Sequence, residues 1–170
     1  MVSKFWQDLN SIASTVVPGY SAVESVVDNY VRDTTRPVPG SILFCSLYGA
    51  EHSGIYVGNG DIVELRGKLS RDSGCICRTG KSGFIQGTNA LTVYVACFGN
   101  SSDPIGSDEV AQRASESVGK TRKYHLFQDN CHMFSSYCIT GNLNNGDNLF
   151  TKLQNRIRRE YGSFTWRAWH

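Results

Sequence analysis

The segment 51–65, E-H-S-G-I-Y-V-G-N-G-D-I-V-E-L, constrains this chain more than any other stretch. Two runs rich in β-branched and aromatic residues, 53–57 and 61–65, flank Gly58-Asn59-Gly60. A glycine-centred join between such runs is a hairpin signal. Side chains alternate along a strand with period two, so the loop length decides which residues share a face. A two-residue Asn59-Gly60 turn pairs Gly58 with Asp61 and Ile55 with Glu64, and sets His52 and Glu64 on opposite faces. A three-residue loop with Gly60 left-handed pairs Val57 with Asp61 and Gly54 with Glu64. His52 and Glu64 then become diagonal neighbours on one face, with Cβ atoms below about 7–8 Å apart. That arrangement fits a base and the group that orients it, and Gly54, opposite Glu64, leaves room for the contact.

Further short runs at 41–47 and 91–98 read as strands, and the whole reads as an α+β fold with a small antiparallel sheet of about four to six strands packed with helices. The stretch 66–89, rich in Gly and Ser, reads as a long loop with one short strand near Cys75–Cys77. Residues 107–119 read as a helix, with Asp108 and Glu109 in its first turn and Gly119 as its stop. A second helix starts near Cys131 and closes at Gly141, and a third spans about 148–161. The tail F-T-W-R-A-W-H is aromatic.

Ahead of the sheet, 3–31 carries Phe5, Leu9, Ile12 and Val16, then Val23, Val26, Val27 and Val31, at a roughly helical period interrupted by Pro18-Gly19. Two amphipathic helices packed on the domain are expected there, and 33–40 is a turn-rich connector. The chain thus divides into an amphipathic segment 1–36, a core 37–141, and a C-terminal helix with its tail at 142–170.

The chain has 170 residues, 40% apolar and 19% charged, with net charge +2. It reads as an ordinary folded domain, and no global charge points to nucleic acid. The late cluster Lys152, Arg156, Arg158 and Arg159 reads as a solvated helix face. No signal peptide or membrane span is evident, so a cytoplasmic protein, at most peripheral at a membrane, is expected. The six cysteines are then read as reduced thiols. Cys75 and Cys77 lack the partner pair a zinc site needs, and no cofactor or metal is expected.

Nucleophile chemistry concentrates in Asp129-Asn130-Cys131-His132-Met133-Phe134. The Asp-Asn pair precedes an apolar helical stretch and fits a cap, which places Cys131 in the first helical turn. Free backbone N–H groups and the positive end of the helix dipole stabilise a thiolate there. The same groups fit an oxyanion hole. Of the four histidines, His52 alone stands at the head of a strand.

These residues together resemble the lecithin–retinol acyltransferase family. The resemblance lies in H-x-G-I-Y-V-G-N-G followed by Glu64, in the late Y-H-L-F-Q-D-N-C-H-M-F, and in P-V-P-G-S-I-L-F at 37–44. It covers about residues 37–140. It implies the circularly permuted, NlpC-like branch of the papain-fold thiol enzymes, in which the histidine precedes the cysteine. It further implies Cys131 as nucleophile, His52 as base and Glu64 as third polar residue, and Tyr124 matches a family aromatic position. Glu64 stands where many members have His, Ser53 where a Trp is expected, and His132-Met133 where the family has Glu-His.

Three functions follow. The favoured one is a phospholipase A or phospholipid acyltransferase, with a phospholipid or other acyl-ester substrate and with the apolar faces of 3–31 and the aromatic tail seated at a membrane interface. The others are a cysteine peptidase or amidase of the NlpC-like group, and a binding module that keeps the fold without catalysis.

Overall fold

A computed structural model describes residues 34–68, 73–123 and 130–170. The expected helices in 3–31, and the positions Tyr124 and Asp129, lie outside the described residues.

The fold is α+β. Among the described residues, seven antiparallel strands form one open sheet, and four helices pack with it. The strands are β1 (Ile42–Leu47), β2 (Ala50–Gly58), β3 (Asp61–Lys68), β4 (Ser73–Gly80), β5 (Tyr94–Phe98), β6 (Thr121–Lys123) and β7 (Phe164–Ala168). The helices are α1 (Lys81–Phe84), α2 (Asp108–Glu116), α3 (Cys131–Thr140) and α4 (Phe150–Tyr161). The strand order is β6-β4-β3-β2-β1-β5-β7.

β1 lies between β2 and β5 and is apolar along most of its length, because both of its faces are covered. On one face Ile42, Ile55, Val63 and Leu65 meet Val110 and Ala114 of α2, Phe134 and Cys138 of α3, and Leu153 and Ile157 of α4. On the other, Leu43, Cys45, Ile62, Val93 and Val95 gather around Phe84 of α1. Alternation along β2 therefore sends Ser53 and Ile55 toward the three long helices, and His52 and Gly54 toward Phe84.

The hairpin combines the two loops considered from sequence. Asn59 (φ 55) and Gly60 (φ 84) form a two-residue turn with Gly58 opposite Asp61. Gly58 (φ 99) also has a positive φ, and glycine and asparagine are the residues that adopt such angles at hairpin turns. A bulge between Tyr56 and Gly58 then shifts the register, so that Tyr56 faces Ile62 and Ile55 faces Val63. One extra residue restores the parity that a two-residue turn alone would lose. His52 and Glu64 share a face, as the three-residue alternative required, through a turn and a bulge instead.

Within the expected loop 66–89, the described residues 66–68 and 73–84 form regular structure. β4 pairs with β3 at eight positions from Asp61–Gly80 to Lys68–Ser73, and α1 follows directly. Ser-Gly-Cys-Ile-Cys-Arg-Thr-Gly has weak strand propensity, but a full-length ladder outweighs it. β6 and β7 extend the sheet at its two edges, beyond the runs that read as strands from sequence. The tail forms β7, paired with β5 from Tyr94–Ala168 to Phe98–Phe164. Its tryptophans are occupied by packing. Trp166 meets the rings of Phe44, Phe150 and Phe164, and Trp169 lies edge-on to Tyr56 with Lys81 Nζ 5.0 Å above its ring.

Arg156 departs from the solvated face expected of the basic cluster. It is largely covered and bonds Asp147, whose carboxylate also takes the Ser136 hydroxyl. No helix of the described residues is long and apolar enough to cross a membrane.

Candidate active site

α3 begins at Cys131. Asn130 keeps extended backbone angles, and its Oδ1 accepts from the N–H of His132 at 3.0 Å and of Met133 at 3.2 Å. Its Nδ2 donates to Asn148 O at 2.6 Å, which ties the cap to the segment leading into α4. The helix stops at Gly141, whose φ of 73 carries the left-handed cap. Two of the N–H groups expected to serve an oxyanion are thus taken by the cap. The Cys131 N–H makes no bond among the described residues.

His52 and Glu64 meet across the hairpin, with Nε2 2.5 Å from Oε2. Glu64 is completely buried, yet all of its charge is answered. Its other oxygen, Oε1, accepts from Arg66 at 2.7 Å and from Thr79 Oγ1 at 2.9 Å. Burial pushes the Glu64 carboxyl up, but His52, Arg66 and Thr79 together hold it below the usual carboxylate range. Arg66 also donates to Gly83 O at 2.7 Å and so fastens α1. Phe84 of that helix lies against the His52 ring, with centroids 4.9 Å apart. The space over Gly54 therefore admits Phe84, not the Glu64 carboxylate. A Cβ at Gly54 would come within 2.9 Å of the Phe84 ring and 3.0 Å of Val63 O.

The three residues singled out from sequence come together. With Nε2 held by Glu64, the second ring nitrogen of His52 is left to the Cys131 sulfur. Burial alone pushes the His52 imidazole down, but the charge and hydrogen bond of Cys131, then those of Glu64, raise it to about 10. Burial likewise pushes the Cys131 thiol up. The charges of His132 and His52, with a hydrogen bond from each ring, outweigh burial and hold it well below the ordinary thiol range. The cysteines nearby go the other way. Burial pushes Cys45 far up and Cys77 up to about 11, and the Glu64 carboxylate adds to both. Cys131 is thus shifted in the opposite direction to Cys45 and Cys77.

The family model described as lecithin retinol acyltransferase matches residues 35–144, well over half of the chain. The chain belongs to this family. Comparison with curated proteins gave no match. The matched span contains the hairpin, the helix start and all three residues above. α4 and β7 lie beyond it, although β7 completes the sheet edge next to β5.

Several site residues of this family member escaped the sequence. Arg66 and Thr79 needed the β3–β4 ladder, which weak propensity hid. Ser53 was noted only as a departure, and its Oγ lies 2.9 Å from His132 Nδ1. From sequence, its place at the head of a strand favours His52, whereas His132 adjoins Cys131 in the chain. At the helix start its Nδ1 is nevertheless 3.9 Å from Sγ. Glu51 is half-buried nearby. Burial and then the Cys131 charge raise its carboxyl, against a lowering by His132.

Proposed function

We propose that this member of the lecithin retinol acyltransferase family is a thiol-dependent acyl-transfer enzyme acting on acyl esters of the phospholipid class, as a phospholipase A or phospholipid acyltransferase. Cys131 is its nucleophile, His52 its acid–base partner and Glu64 the orienting carboxylate. The observation that carries the reading is the buried Glu64–His52 pair beside a thiol that sits in the first turn of a capped helix. Family membership supports acyl transfer as the chemistry.

The Cys131 thiolate attacks the ester carbonyl, and a C–S bond forms as the carbonyl oxygen takes the charge. The Cys131 N–H, at the start of α3, receives that oxyanion in this reading. Collapse breaks the C–O bond, and the alkoxide leaves with the proton held by His52. The product is a thioester. Water, or an acceptor alcohol or amine, then gives a proton to neutral His52 as it attacks, and C–S cleavage restores the thiolate. Glu64 holds the imidazole in one orientation and stabilises its cation throughout.

The test is incubation with phosphatidylcholine vesicles followed by intact-mass and peptide mass spectrometry. The expected result is an acyl adduct on Cys131 together with lysophospholipid. Turnover of peptide or amide substrates without that adduct would replace this reading with a cysteine peptidase or amidase. Neither adduct nor turnover, with Cys131 no more reactive than an ordinary thiol, would make the chain a binding module.

A further inference from the structure

Cys131 faces two imidazoles. His132 Nδ1 lies 3.9 Å from Sγ, and the same nitrogen lies 2.9 Å from Ser53 Oγ, which is itself 3.0 Å from Ser135 Oγ. Cys131 and His132 are 6% exposed, and Ser53 and Ser135 not at all. The four side chains come from the start of α3 and the helix-facing side of β2. Asn130 pins the His132 backbone, and Phe150 of α4 covers its ring at 5.5 Å.

We propose that His132 is a second catalytic imidazole, which shares with His52 the task of holding the Cys131 sulfur as a thiolate and is set by the Ser53–Ser135 hydroxyl pair. The proposal rests on the reading of Cys131 as nucleophile. A thiolate beside Nδ1 is met favourably by an N–H and unfavourably by a lone pair, so the ionised sulfur selects the proton on Nδ1. Ser53 Oγ then accepts from Nδ1 and donates its own hydroxyl to Ser135 Oγ. When the sulfur is neutral, as a thiol or a thioester, the two hydroxyls rotate and Ser53 donates to Nδ1. The pair thus serves both states of the site without stranding a buried donor or acceptor.

The surrounding charges make a second cation useful. Among the described residues, the titratable groups facing the sulfur are His52 and Glu51 from β2, Cys45 from β1 and His132 from α3, with Glu64 and Arg66 of β3 behind His52. Burial and the Glu51 carboxylate oppose a thiolate. The Arg66 guanidinium is engaged by Glu64 and Gly83 O, so among the described residues the two imidazoles are the groups that offer the sulfur positive charge directly.

The experiment is iodoacetamide alkylation of the full chain as a function of pH, with peptide mapping to separate Cys131 from the exposed Cys75. In His132→Asn, which keeps a neutral donor near the Nδ1 position, the acid limb of Cys131 labelling moves up by one pH unit or more. At a pH below that limb the rate falls about tenfold. Ser53→Ala shifts the limb in the same direction by less. In His52→Ala, Cys131 still labels at least tenfold faster than Cys75, and His52→Ala/His132→Asn brings the two cysteines to the same rate. An unshifted limb in folded His132→Asn overturns the proposal, as does loss of all excess reactivity in His52→Ala alone. The second variant keeps His132 and so decides the matter if His132→Asn does not fold. Alkylation needs no substrate. A chain that turns over no acyl ester but keeps the His132-dependent limb sinks the proposed function and leaves this assignment standing.

Discussion

His52 Nε2 and Glu64 Oε2 stand 2.5 Å apart, twelve residues apart in sequence, on one face of a hairpin whose bulge restores the necessary parity. Arg66 and Thr79 saturate the other carboxylate oxygen. Glu64 is thereby a fixed, fully buried charge, and replacing it perturbs both orientation and stability. Glu64→Gln is expected to lower turnover by roughly 10²- to 10⁴-fold, the range for a group that supports acid–base catalysis. Breaking a buried ion pair from one side costs about 3–5 kcal/mol. Urea unfolding and steady-state kinetics on the same sample separate the two effects.

Cys131→Ser and Cys131→Ala are expected to abolish turnover by several orders of magnitude while leaving the fold intact. The check is activity against phosphatidylcholine alongside circular dichroism and thermal unfolding. A Cys131→Ala chain with normal turnover would falsify the mechanism.

The pH profile follows from two opposed shifts. Cys131 is lowered and His52 is raised to about 10, so the thiolate–imidazolium pair exists between those two limits. Turnover should be flat across neutral pH, with its alkaline limb near 10 and its acid limb well below the ordinary thiol value of about 8.5. The stability signs agree. The raised His52 contributes fully below its unfolded value of about 6.5, and that contribution is lost as pH rises through about 10. The lowered Glu64 contributes above about 4.3 and is lost as pH falls through its folded value. Urea midpoints measured from pH 3 to 11 should fall at both ends.

Gly54→Ala tests the packing that aims the histidine. The added methyl would meet the Phe84 ring at 2.9 Å, Val63 O at 3.0 Å and Ile62 Cγ2 at 3.1 Å. Overpacking of this kind costs about 1–3 kcal/mol. Because Phe84 lies against the His52 ring, turnover should fall together with stability. Unchanged kinetics in Gly54→Ala would show that Phe84 does not set the imidazole.

Asn130→Ala removes the cap of α3. Two N–H groups lose their acceptor, and Asn148 O loses a donor. The expected loss is about 0.5–2 kcal/mol. The freed N–H groups at the helix start still favour a thiolate, so the alkylation rate of Cys131 should change less than it does on removing His52. Thermal unfolding and labelling kinetics read the two quantities.

What the sequence determined by itself was local and periodic. Asn59-Gly60 specified a turn because both residues tolerate positive φ, and period-two alternation narrowed His52 and Glu64 to one face or opposite faces. Asn130 and Gly141 marked the ends of α3 by their capping chemistry. The family motifs lie in those same stretches. The bulge that chose between the two registers left no mark in the residues.

Only the tertiary structure decided the rest. The ladder that makes β4, and with it Thr79 and Arg66 as partners of Glu64, depends on pairing rather than propensity. β7 became a strand because β5 offered an open edge. The meeting of Cys131 with His52 joins positions far apart in the chain, as does that of His132 with Ser53, 79 residues apart. No periodicity links such positions, because their contact comes from packing α3 across the sheet. Burial then turned proximity into chemistry, by making a thiolate dependent on the imidazoles beside it.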